Sequence, residues 1–192
     1  MSSQLPGANH DDRFTLYLPR LAKYAGCSDG FGLSPVRPRI ARHVQVVNRF
    51  GRYLSREQGY DFPLEWDMAD GESRAYFFTS WRSLMTVTTI QPVGCAVFQK
   101  YSSAEPWQFV WAWIHPFERG RGHLTDAWPK FKQEFGDFTL QQPLSFGMKV
   151  FLTKLVNKGE PTTKAIRAAL RWGDFSPEAQ AEREAESQEV TQ

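Results

Sequence analysis

The sequence predicts an α+β protein, a mixed and mostly antiparallel twisted sheet flanked by helices. Three observations lead there. Residues 75–114 hold four short segments rich in β-branched and aromatic side chains, separated by turn chemistry. Ahead of them, Ile40 to Gln58 repeats apolar positions at three- and four-residue spacing, as a helix with one buried stripe does. Behind them, the apolar run Gln108 to Ile114 stops at His115-Pro116, and a helical pattern follows from Leu124 to Phe135.

The elements follow in order. Residues 1–12 are polar and read as a flexible N-terminus, ahead of a single domain over 13–173 and an acidic, polar tail over 174–192. Phe14 to Leu18 has strand character but meets Pro19, and glycines and prolines make Gly26 to Pro38 read as loop. The first helix places Ile40, Val44, Val47, Phe50 or Gly51, and Leu54 on one face, and Gly59 stands where a C-cap belongs. Its arginines, with Arg39, Arg42, Arg49, Arg52 and Arg56 between the apolar positions, read first as the solvated side of a core helix and second as a nucleic-acid face.

Strands are expected at Ala75–Thr79, Leu84–Ile90, Val93–Gln99 and Gln108–Ile114, with turns at Gln91-Pro92 and Ser102 to Pro106. The tryptophans of 107–113 read as core rather than as a base-stacking platform. After the helix 124–135 come a short strand, Phe138–Gln142, and a helix from Leu144 to Val156 with Leu144, Met148, Phe151, Leu152 and Leu155 on one side. Pro161 to Trp172 reads as a last helix, and from Glu178 the chain is a solvated helix or disordered.

Composition narrows the classes. Of 192 residues 41% are hydrophobic and 15% aromatic, ample for a core. No apolar run approaches the roughly 20 residues that span a bilayer. The opening Met-Ser-Ser-Gln-Leu-Pro-Gly lacks a signal-peptide pattern, so a cytoplasmic protein without membrane contact is expected. Cys27 and Cys95 are far apart, and His10, His43, His115 and His123 lack ligand spacing, so neither a disulfide scaffold nor a metal site is expected. The net charge of +2 is uneven: six acids against Arg183 give residues 174–192 a net of −5, which leaves +7 on residues 1–173. A basic body suits an anionic ligand.

The segment Arg119-Gly-Arg-Gly122 is the most specific motif. Pro116 ends the strand, closely spaced glycines let the backbone turn with no Cβ in the way, and a helix opens directly behind. Free amides and the positive end of a helix dipole make an anion site, and Arg119 and Arg121 add forked donors suited to phosphate.

That arrangement resembles the acyl-CoA pyrophosphate loop of the GNAT superfamily of N-acyltransferases, whose motif is Arg/Gln-x-x-Gly-x-Gly/Ala after a strand that often ends in Val-x-Pro. Arg119, Gly122 and Ile114-His115-Pro116 match it, while Leu124 stands where the last Gly/Ala is usual. Val93-Gly-Cys-Ala-Val-Phe98 resembles the family's preceding strand. The resemblance covers residues 75–156. It implies a splayed strand pair with the acyl-pantetheine arm in the wedge, acetyl-CoA as co-substrate, and a primary amine as acceptor on a small molecule, a protein or an aminoacyl-tRNA. The implied contacts are Trp113, Ile114 and His115, through strand backbone, and Arg119, Gly120, Arg121, Gly122, His123 and Leu124 around the phosphates. A homodimer fits the same picture.

Catalysis is less well marked. Where many family members carry a tyrosine as thiolate acid, this chain has Phe151, so Ser145 is the hydroxyl left near the helix start, as acid or as helix cap. His115 has the right intrinsic pKa for a base, and Glu65, Asp67 and Glu72 are alternatives before the first sheet strand. The family usually ends in a β-hairpin, and the helical pattern of 161–172 departs from that. A catalytically silent acyl-CoA-binding module, acting through protein or nucleic-acid contacts, is the rival reading.

Overall fold

A computed structural model describes residues 16–27, 32–66, 72–80, 88–157 and 164–171. The strands are β1 (Leu21–Ala22), β2 (Gly32–Pro35), β3 (Glu72–Thr79), β4 (Thr89–Ile90), β5 (Pro92–Lys100), β6 (Gln108–Ile114) and β7 (Thr139–Leu140). The helices are α1 (Ala41–Gln58), α2 (His123–Phe135), α3 (Phe146–Asn157) and α4 (Lys164–Arg171), and a 3-10 turn spans Pro116–Glu118. Five strands form one open sheet in the order β2-β3-β5-β6-β7. Its pairs are antiparallel except β6 with β7, which run parallel. β1 and β4 make a separate two-stranded ribbon. The expected mixed, mostly antiparallel α+β architecture is what the chain adopts.

Side-chain alternation on the strands builds a core on each face. Ala75, Phe77, Cys95, Val97, Trp111 and Trp113 turn to α1 and pack with Val46, Val47, Phe50 and Leu54. Tyr76, Phe78, Ala96, Phe98 and Phe109 turn the other way, onto α2, α3 and α4. Phe98 centres that second core, stacked on Phe135 at 4.1 Å and edge-on to Phe131 at 4.8 Å. The tryptophans of β6 are therefore core, Trp113 lying stacked on Phe50 at 5.2 Å.

Several expectations need correction. The stretch 26–38 is not all loop, because Gly32–Pro35 pairs with β3 as an edge strand. Pro35 is tolerated there because an edge strand has one unpaired side. Of Leu84–Ile90, only Thr89–Ile90 is a strand among the described residues, since 81–87 lie outside them. Residues 16–18 are described and are not in a strand. The short strand expected over Phe138–Gln142 is reduced to Thr139–Leu140. Among the described residues α4 packs beside β7 at the end of the sheet, and Gln142 Nε2 donates to Ala169 O at 3.5 Å. Residues 1–12 and the tail 174–192 lie outside the described residues. No helix among the described residues is long and apolar enough to cross a membrane.

Candidate functional site

β6 and β7 separate almost as soon as they meet. They pair at Gln108 with Thr139 and Phe109 with Leu140, and Gln141 N still donates to Phe109 O at 3.0 Å. Pro143 has no N–H to carry the ladder further. A bulge opposite Val97 and Phe98 falls at the same level, and it turns both Val110 and Trp111 toward α1. Between the parting strands lies a cavity of about 190 Å³. Phe109 to Ala112 form one wall, Gln141 to Ser145 with Met148 a second, and Leu54, Tyr60, Phe62 and Leu64 a third.

The third wall is a strap laid over α1. Gly59, at φ 69°, caps the helix in the left-handed region, and Tyr60 N then donates to Ser55 O at 2.8 Å. Ser55 Oγ donates to Gly51 O at 3.0 Å and accepts from Leu64 N at 2.8 Å. Gly51 is needed because a Cβ there would come within 1.9 Å of Leu64 O. Asn48 Oδ1 takes Trp66 N at 2.8 Å and fixes the strap's far end. These residues were missed in the sequence. The usable signals were a glycine inside the apolar stripe and an aromatic pair just after a helix cap.

The glycine turn sits at the far end of β6. Gly120 and Gly122 have φ of 73° and 87°, a region that side chains disfavour. Gly122 occupies the N-cap position of α2, where no side chain caps the helix, so the first-turn amides lack an intrahelical acceptor. Leu124 packs against the core and does not fill the turn. The turn is less positive than its arginines suggested. Arg119 Nη2 lies 2.5 Å from Glu57 Oε2, and its Nε donates to Ile114 O at 2.9 Å. Arg121 lies 3.6 Å from Glu118. Asp126 stands in the first turn of α2, its Oδ2 3.3 Å from where a Cβ on Gly122 would be. The His123 side chain is buried against Glu118 at 3.3 Å, beneath the turn.

Part of the backbone expected to be open at Trp113 to His115 is engaged instead. Trp113 O faces β5, only 2.2 Å from where a Cβ on Gly94 would lie. Ile114 O holds Arg119, and His115 N donates to Val93 O at 2.8 Å. The strand meets the cavity earlier, at Val110 to Ala112.

His115 is positioned as a cap and does not line the cavity. Its Nδ1 accepts from Phe117 N at 3.3 Å, which places the ring proton of the neutral form on Nε2 and leaves no open lone pair for a base. Burial holds its pKa below the usual imidazole range, with Arg119 acting the same way and Glu118 opposing. Ser145 does line the cavity, and its Oγ caps α3 by accepting from Met148 N at 3.3 Å. Phe151 packs on Trp128 at 5.1 Å. Glu65 and Glu72 are exposed and do not line the cavity, and Asp67 lies outside the described residues. Tyr60 is the sole titratable side chain among the described residues lining it. Among the described residues no cluster of His, Cys, Asp or Glu could hold a metal ion.

No family model matches this chain, and no curated protein matches it.

Proposed function

We propose that the protein is an acyl-CoA-dependent N-acetyltransferase of GNAT-like fold, acting on a primary amine. The observation that carries this reading is the parting of β6 from β7 over a cavity, with an uncapped helix N-terminus behind two left-handed glycines at the end of β6. A thioester arm laid along Val110 to Ala112 would reach the turn with its phosphates. Acetyl-CoA supplies a thioester carbonyl that the amine attacks, the C–S bond breaking as the C–N bond forms. The chain's part is to seat that carbonyl against β6, exclude water with the Tyr60–Leu64 strap, and give a proton to the leaving sulfur, the proton that the amine nitrogen sheds on acylation restoring the donor. Two hydroxyl-bearing residues line the cavity, Tyr60 and Ser145. A phenol is a stronger acid than an aliphatic hydroxyl, so Tyr60 takes the donor role in this reading.

One observation favours a second reading, a silent acyl-CoA-binding module. The described cavity lining holds no carboxylate, histidine or cation. Calorimetry with acetyl-CoA, followed by thiol release against a panel of primary amines, separates the two. Binding with release supports the transferase, binding without release supports the module, and no binding overturns both.

A further inference from the structure

We propose that the outer face of α1 binds the phosphodiester backbone of a nucleic acid. Arg42, Arg49, Arg52 and Arg56 fall within an arc of about 80° at 3.6 residues per turn. That arc lies opposite the buried residues Val47, Phe50, Gly51 and Leu54, so the stripe points away from the sheet. From Arg42 to Arg56 it runs about 21 Å at 1.5 Å per residue, the reach of about six phosphates on one strand. Arg39, just ahead of the helix, is exposed as well.

Two further observations point to this ligand. The first is the charge balance. Glu57 is the one acid in α1, and it is turned onto Trp113 and Arg119. Arg39, Arg42 and Arg52 make no ion pair among the described residues. The second is an aromatic ring set into the stripe. Tyr17 is 62% exposed, its ring lies 5.7 Å from the Arg49 guanidinium, and its N–H is held by Tyr53 Oη at 3.1 Å. A ring fixed beside forked cations is what a base stacks on while phosphates pair with guanidinium groups. A membrane surface fits poorly, because the apolar face of α1 is buried in the core and cannot embed.

The test is fluorescence anisotropy of the full chain with a labelled single-stranded RNA of about 12 nucleotides, a length within known single-strand site sizes. Log affinity should fall linearly with log salt with a slope of about −3, as four phosphate contacts give. Arg42→Gln and Arg52→Gln should each flatten the slope by about 0.7, and Tyr17→Ala should weaken binding about tenfold at constant slope. Melting curves confirm that the variants fold. Binding untouched by these substitutions, or absent, overturns the proposal. So does equal competition by polyglutamate, or capture by anionic vesicles through the same arginines. Acetyl-CoA titration of the arginine variants should match the parent, so this proposal and the acetyltransferase reading fail independently.

Discussion

Glu57 and Arg119, 62 residues apart in sequence, meet at 2.5 Å and tie the end of α1 to the glycine turn. The same carboxylate oxygen takes Trp113 Nε1 at 3.1 Å, so α1, β6 and the turn share one acceptor. An arginine that sequence alone assigns to phosphate is thereby also a structural tie. Arg119→Ala should cost at most about 1 kcal/mol of stability, because the pair is partly exposed and screened. Glu57→Ala should cost more, about 1–3 kcal/mol, since the indole N–H of Trp113 loses its acceptor. Urea unfolding of both single variants and the double variant measures the coupling. If Arg119 also grips phosphate, only its substitution lowers acetyl-CoA affinity, and equal losses in the two single variants would reduce it to a tie.

The carboxylate of Asp126 stands where an anion would approach α2. Asp126→Asn should raise acetyl-CoA affinity severalfold while costing about 0.3–1 kcal/mol of stability, the scale of a charge in the first turn of a helix. Gly122→Ala should cost about 1–3 kcal/mol for a side chain forced to positive φ, and should weaken binding. Calorimetry beside a melting curve reads both. Unchanged affinity in both variants would remove the turn from the ligand's path.

Ser145→Ala should remove a helix cap, costing about 1 kcal/mol, and leave turnover within a few-fold of the parent. Tyr60→Phe should keep stability and lower thiol release about 10²-fold, as loss of a general acid does. The reverse pattern would return the acid role to Ser145.

Two buried histidines make stability depend on pH. His43 Nδ1 accepts from Arg37 N at 3.1 Å, as His115 Nδ1 accepts from Phe117 N. Burial holds both below the usual imidazole range, with Arg37 adding to the effect at His43. The unfolded chain takes up these protons near pH 6.5 while the folded chain resists them, so the unfolded state binds more protons as pH falls. Stability should therefore be level above about pH 6.5 and decline below it, until the folded histidines themselves titrate. Urea midpoints across that range should fall for the parent and stay flatter for His43→Asn, whose Oδ1 can still accept the Arg37 amide. Parallel curves for the two proteins would assign the pH dependence to other groups.

How much could be read in advance depended on the range of the interaction. α1 was legible because its buried face repeats locally and Gly59 closes it, both signals lying within one helix. β6 was legible to the residue because Pro116 follows it closely. β2 was not, since its Gly-Leu-Ser-Pro has little strand character of its own and is held by pairing with β3, more than 40 residues away. The glycine turn was legible as backbone, yet its electrostatics were not. Glu57 reaches it only through the fold, and the turning of the neighbouring Glu118 and Asp126 toward it is a matter of side-chain direction that sequence does not give. The Tyr60–Leu64 wall depends on Ser55 and Gly51, which sequence shows merely as two small residues in a helix.

That wall has a mechanical consequence. Each backbone hydrogen bond recorded from Gly59 through Leu64 ends on α1, at Arg56, at Ser55 O or at Ser55 Oγ. The strap is therefore carried by α1, and the placing of Tyr60 and Phe62 at the cavity follows how that helix is seated on the sheet. The opposite side of the same helix is the arginine face, so a single helix bears both one wall of the cavity and the exposed cations.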